Sequence, residues 1–211
     1  EDSQHSYELS LKYENIFSTA GVHPHDSKEV PKGYLDQIKI LLKKPKVIAL
    51  GEIGLDYFKN ISDKKIQKNI FREQLELAQE INVPIVFHNR DSDNDIIDTL
   101  SKFPDVIGVA HCFSSSYEVA KKLIDMGFYI SFSGNLTFKN SHLPDVAKKL
   151  PLNKILVETD SPFLSPVPHR GRVNEPGRTR FVAELLAKLH GSTINQIASI
   201  TTNNATNLFN L

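Results

Sequence analysis

Residues 47–52 read VIALGE, a short apolar run that closes on a carboxylate. A continuous run of this length, opening on β-branched residues, is the pattern of a strand covered on both faces, as in a parallel sheet. The pattern returns three times: PIVFH (84–88) ends on His88, VIGVAH (106–111) on His111, and KILVETD (154–160) on Asp160. Parallel strands point the same way, so their C-terminal ends share a face. Glu52, His88, His111 and Asp160 are therefore expected to converge. Two imidazoles with two carboxylates form the donor set of a divalent-metal hydrolase. Mixed nitrogen and oxygen ligands suit Zn²⁺, Mn²⁺ or Mg²⁺ and do not select among them. Buried side by side without a cation, the same four groups would be costly.

Two further runs, 16–22 and 128–133, complete a set of six expected strands, and helical patterns lie between them. Phe71, Leu75 and Ala78 share one face of FREQLELAQEIN. Val119, Leu123 and Ile124 form another stripe before Gly127, a residue suited to ending a helix. Phe181, Val182, Leu185, Leu186 and Leu189 form a third, stopped by Gly191, after which Ser192 is expected to cap a last helix carrying Ile194 and Ile197. Glu52 and Asp160 are 108 positions apart, four strand–helix units at 27 residues each. That is the pace of a TIM (β/α)8 barrel, and ligand types on strand after strand favour a closed barrel over a doubly wound sheet with one crevice. The expected fold class is thus α/β, a barrel of the metal-dependent hydrolase type spanning 1–211 as one domain, with six of its eight strands present. The missing pair is expected before Glu1, in about 50–60 residues.

The chain has 211 residues, 40% of them hydrophobic, enough for one buried core. Twenty-five basic and 25 acidic side chains cancel, so no whole-molecule field recruits nucleic acid or an anionic membrane. A polyanionic substrate would have to be held by a local basic patch or by metal. No apolar run is long enough to span a bilayer, and no signal-peptide core is present. The single Cys112 fits a reducing, cytoplasmic setting.

His23 and His25 in GVHPHD form a tempting pair, but Pro24 between them lacks an N–H and tends to end a strand. His23 is expected to line the mouth of the site and His25 to belong to the loop. Cys112 follows His111 directly, and neighbours on a strand face opposite ways, so a buried structural thiol is expected there. After the last strand, PVPHRGRVNEPGRTR (166–180) carries His169, Arg170, Arg172, Arg178 and Arg180. The loop after the final strand is a common phosphate-binding place in such barrels, and Arg170 and Arg172 are the best candidate contacts.

Taken together, ALGEIGLDY (49–57), PIVFHNRD (84–91), VAHCFS (109–114), LPLNKILVETDSP (150–162) and RGRVNEP (170–176) resemble the TatD family of metal-dependent deoxyribonucleases along essentially the whole chain. The resemblance implies an amidohydrolase-type barrel with one or two metal ions. It assigns Glu52, His88, His111 and Asp160 as ligands, with Glu52 bridging when two ions bind. It also places His23, Asn174 and Glu175 in substrate-facing loops. The family opens with an HxH pair on its first strand, which has no counterpart here. On this reading the metal position those histidines share with Glu52 and Asp160 is crippled, the His88–His111 position keeps its imidazoles, and the chain is expected to be incomplete.

The expected activity is 3′→5′ removal of nucleotides from single-stranded or frayed DNA, with RNA as a secondary substrate, and with Asp160 and Glu52 as the catalytic carboxylates. Mg²⁺ or Mn²⁺ would support activity, with Zn²⁺ as a further option. A monomer acting on DNA ends, without membrane contact, is expected. Two other readings stay open: a D-aminoacyl-tRNA deacylase or other metal-dependent ester hydrolase, and a non-catalytic barrel remnant that binds phosphate or nucleotide.

Overall fold

In a computed structural model, which describes residues 2–211, six strands alternate with helices as the sequence patterns require. The chain divides into two compact units, one ending at Val109 and the other beginning at Ala110.

The first unit opens with α1 (Asp2–Lys12), followed by β1 (Ser18–Ala20), a 3-10 helix (Pro24–Glu29) and α2 (Tyr34–Leu42). Then come β2 (Val47–Asp56), α3 (Lys64–Ile81), β3 (Ile85–Arg90) and α4 (Asp93–Leu100). β4 (Gly108–Ala110) begins at the end of this unit. β1 pairs with β2 and β2 with β3, both in parallel. The strands are near-continuously buried because helices cover them. Leu50, Ile53, Leu55, Ile85 and Phe87 are fully buried, and so are Phe71 and Leu75 from α3. β2 runs on past Glu52, so that residue lies inside the strand, where the expectation put it at the end. The register with β3 shifts between Gly51 and Ile53, so Glu52 sits at an irregularity from which the strand continues. Gly54 faces His88 in this pairing, and a Cβ there would meet the His88 carbonyl oxygen at 2.1 Å.

The second unit holds α5 (Tyr117–Asp125), β5 (Tyr129–Phe132), α6 (Leu143–Ala147), β6 (Ile155–Val157), α7 (Thr179–His190) and α8 (Ile194–Phe209). β5 and β6 pair in parallel. α5 and α7 stop at Gly127 and Gly191, both in the left-handed region, as their stripes imply. The cap of α8 is Thr193, not Ser192: its hydroxyl accepts the Gln196 N–H while Gln196 accepts the Thr193 N–H, a reciprocal capping box. Among the described residues no helix is long and apolar enough to cross a membrane.

Candidate metal centres

In the first unit, His23, Glu52 and His88 bring ligand-type atoms within 4.8 Å of one another. Their positions follow from local structure. Glu52 sits at the register shift of β2, His88 on β3, and His23 just before the 3-10 helix that Pro24 opens. Behind them lies Asp56, 1% exposed, whose Oδ2 is 2.9 Å from His25 Nε2 and 3.0 Å from His88 Nε2, while Oδ1 accepts the Lys59 N–H. Burial opposes ionisation of Asp56, but the Lys59 N–H and the rings of His25 and His88 outweigh it and hold the carboxyl below its ordinary range. A buried carboxylate accepts and does not donate, so both rings present Nε2–H to it.

This fixes the chemistry of His88. With its proton on Nε2, the Nδ1 lone pair faces Glu52 Oε1 at 3.1 Å. Two electron-pair donors at that distance repel unless a cation, or a second proton on the ring, lies between them. The pair is therefore suited to a divalent ion. His23 differs. Its Nδ1 accepts the His25 N–H at 3.2 Å, so the neutral ring keeps its proton on Nε2, 3.8 Å from Glu52 Oε1. Burial pushes its pKa down to about 4 against the pull of Glu52, which keeps the ring neutral. His23 is placed close enough to be a ligand, yet its hydrogen bonds make it a donor.

The second unit repeats the arrangement on His111, the residue after β4. His111 Nδ1 is 3.0 Å from Glu158 Oε2, and Nε2 is 3.6 Å from Asp160 Oδ1. Glu158 Oε1 also accepts the Cys112 N–H at 2.8 Å, in a residue with φ 45°. A carboxylate again lies against one nitrogen of the ring, and another carboxylate faces the other nitrogen. Cys112 is a free thiol beside Ser133 Oγ, with its pKa pushed up to about 12 by burial and then by Glu158.

The remaining sequence candidates lie in the loop after β6. Arg170 and Arg172 are exposed, and Arg170 stacks over the Phe138 ring at 3.7 Å. Asn174 is buried: its Nδ2 donates to Thr159 Oγ1 and the Phe163 carbonyl, and its N–H donates to the Pro162 carbonyl. It grips the turn that carries Asp160. Glu175 pairs with Arg178 at 2.9 Å.

Sequence reasoning missed Asp56 and Glu158. Both stand at even spacing from a named candidate, four after Glu52 and two before Asp160, which is same-face spacing on a strand. It also missed Gln67 and Gln74, fully buried on α3. Gln67 accepts the Asp56 N–H and donates to the Asp56 and Ser62 carbonyls, and Gln74 clamps both main-chain groups of Val22. One helix thus fixes the main chain beside His23 and at Asp56.

The sequence profile of the TatD related DNase family matches residues 1–210. The chain belongs to this family. It is 45% identical over 207 residues to the metal-dependent hydrolase YabD of Bacillus subtilis, covering 97% of this chain and 81% of that one. It is 34% identical to the 3′-5′ ssDNA/RNA exonuclease TatD of Salmonella typhimurium, covering 99% and 83%. The crystal structure of the TatD homolog YJJV from Escherichia coli superposes with a TM-score of 0.92 at 30% identity, covering 99% of this chain and 82% of that one. The α/β architecture is thus that of the TatD hydrolases.

Proposed function

We propose that this TatD-family chain is a metal-dependent hydrolase that removes nucleotides stepwise from the 3′ ends of single-stranded or frayed DNA. The observation that carries the reading is a carboxylate set opposite an imidazole nitrogen in each unit: Glu52 opposite His88 Nδ1, and Asp160 opposite His111 Nε2. Divalent cations would be held through these pairs. Bound there, such a cation acidifies water and offsets the negative charge that grows on phosphate oxygens.

The chain's own groups supply the rest. Asp160 accepts the proton of the attacking water. Glu52 sets its carboxyl group opposite His88, and His23 offers Nε2–H as a hydrogen-bond donor to substrate oxygen. Arg170 and Arg172 contact phosphate with planar, bidentate donors. Support for nucleic acid as the substrate class comes from the family and from the Salmonella relative.

The test is a 5′-labelled single strand incubated with Mg²⁺, Mn²⁺ or Zn²⁺, with EDTA, and with Asp160→Asn. A ladder of stepwise shortening that EDTA and the variant abolish, and that a phosphorothioate 3′ end blocks, is expected. No shortening, or shortening indifferent to EDTA and to Asp160→Asn, overturns the proposal. A D-aminoacyl ester assay run beside it separates the deacylase reading.

A further inference from the structure

The two most exposed large apolar side chains among the described residues are Phe163, at 69%, and Val173, at 72%, and both lie in the loop after β6. A single exposed phenylalanine is ordinary on a protein surface and needs no explanation. Three features set Phe163 apart.

The first is its position. It stands three residues after Asp160, and its N–H donates to the Asp160 carbonyl at 2.6 Å. The second is the rigidity beneath it. Its carbonyl accepts from the buried Asn174, whose N–H reaches back to Pro162. Further along, Arg178 donates to the buried Ser165 hydroxyl, and the Val167 N–H donates to Thr137 Oγ1. Gly134 fits the loop so closely that a Cβ there would meet the Leu164 carbonyl oxygen at 1.9 Å. The main chain is held from several sides, yet the ring is turned to solvent. The third is charge. Residues 161–174 contain Arg170 and Arg172 and no acidic side chain, and neither arginine pairs with a carboxylate among the described residues.

An exposed aromatic ring on a firmly held main chain, within a cationic loop, is the combination by which proteins hold single-stranded nucleic acid, the ring taking a base and the cations tracking the phosphates. We infer that Phe163 is a base-stacking platform that seats a nucleobase of the single-stranded substrate next to Asp160, with Arg170 and Arg172 on the phosphates. The inference rests on the nuclease reading and adds to it the residue that distinguishes a nucleic-acid strand from a bare phosphodiester. The main chain beneath the ring is already held, so binding a base orders only the side chain's own rotamers.

The test compares binding of two fluorescent strands with identical phosphates, an oligothymidylate and its abasic counterpart. Binding is read by anisotropy with Ca²⁺ to limit turnover, and the shortening assay is run in parallel. The wild-type chain should bind the base-bearing strand about tenfold more tightly, from a stacking contribution of ~1–3 kcal/mol per base. Phe163→Ala and Phe163→Leu should lose that preference and leave abasic binding unchanged, and Phe163→Trp should restore it. The ring is exposed, so these variants should fold; thermal melting checks this. If the wild-type chain shortens DNA but binds both strands equally, or if Phe163→Ala keeps the preference, the stacking role is overturned and the nuclease reading stands. If the wild-type chain neither binds nor shortens either strand, the nuclease reading falls and the inference with it.

Discussion

Asp56 Oδ2 lies 3.0 Å from His88 Nε2, and this contact decides which nitrogen of His88 faces Glu52. Asp56 accepts three N–H groups, from Lys59, His25 and His88. Asparagine offers one oxygen in place of two, so Asp56→Asn cannot serve Lys59 and the rings together. Orienting carboxylates of this kind change metal affinity about 10- to 100-fold when altered. Calorimetric titration with Mn²⁺ should show a loss of that size in Asp56→Asn with secondary structure retained. An unchanged affinity would mean that His88 is oriented without Asp56.

Glu158 stands behind His111 in the same relation and carries a second duty, accepting the Cys112 N–H through its other oxygen. Glu158→Gln keeps the shape and loses one acceptor, so one of the two donors is left without its partner. Activity of the shortening assay should fall by about 10- to 100-fold. Amide exchange at Cys112 should quicken where the main-chain bond is the one given up. Full activity in Glu158→Gln would remove Glu158 from the orienting role.

The six strands were readable because burial on both faces writes itself as continuous apolar runs, and a carboxylate or imidazole ending such a run stands out. What could not be read was the local departure from regular geometry. Glu52 lies at a register shift in mid-strand, and nothing in VIALGEIGLD announces a shift rather than an end. The orienting acids were hidden for another reason. Asp56 and Glu158 touch the candidates through the far nitrogen of a ring, a relation set by side-chain direction and not by spacing alone. Gln67 and Gln74 read as polar surface, since a glutamine is buried only when main-chain groups across the fold need both its donor and its acceptor. Asn174 was visible through the family resemblance, but its placement under the Asp160 turn needs coordinates.

Those glutamines give a stability test. Gln74→Leu deprives the Val22 N–H and carbonyl of their partner, and Gln67→Leu does the same at Asp56. Leaving a buried main-chain group unsatisfied costs about 1–3 kcal/mol. Urea unfolding should show each variant less stable by ~2 kcal/mol, and Gln67→Leu should also weaken Mn²⁺ binding by loosening Asp56. Changes within about 0.5 kcal/mol, the range of ordinary surface substitutions, would show that water replaces the lost bonds.

Cys112 is the lone thiol, with its pKa pushed up to about 12 by burial first and the Glu158 carboxylate second. The thiolate is the reactive form. At pH 8 the native chain should leave a disulfide reagent such as DTNB unconsumed for as long as it stays folded, and release one equivalent of thiol at once in denaturant. Rapid reaction of the native chain would contradict the packing of Cys112 against Ser133.

The neutral state of His23 should be visible in the pH dependence of stability. Burial, partly offset by Glu52, pushes its pKa from the ordinary 6.5 down to about 4. Between those values the unfolded chain takes up a proton that the folded chain refuses, so stability rises with pH in this window. The contribution is complete above about pH 6.5 and is lost as the pH falls toward 4, with a slope for one group of no more than about 1.4 kcal/mol per pH unit. Asp56, with its pKa lowered, acts in the same sense: its contribution is present above the ordinary carboxylate range and fades as the pH falls through its folded value. Urea midpoints measured in EDTA from pH 4 to 7 should therefore climb with pH in the wild-type chain. His23→Gln, which has no proton to refuse, should show a shallower climb between pH 5 and 6.5, where Asp56 contributes little. Identical slopes in the two proteins would place the His23 ring in contact with water and remove the basis for treating it as a neutral donor.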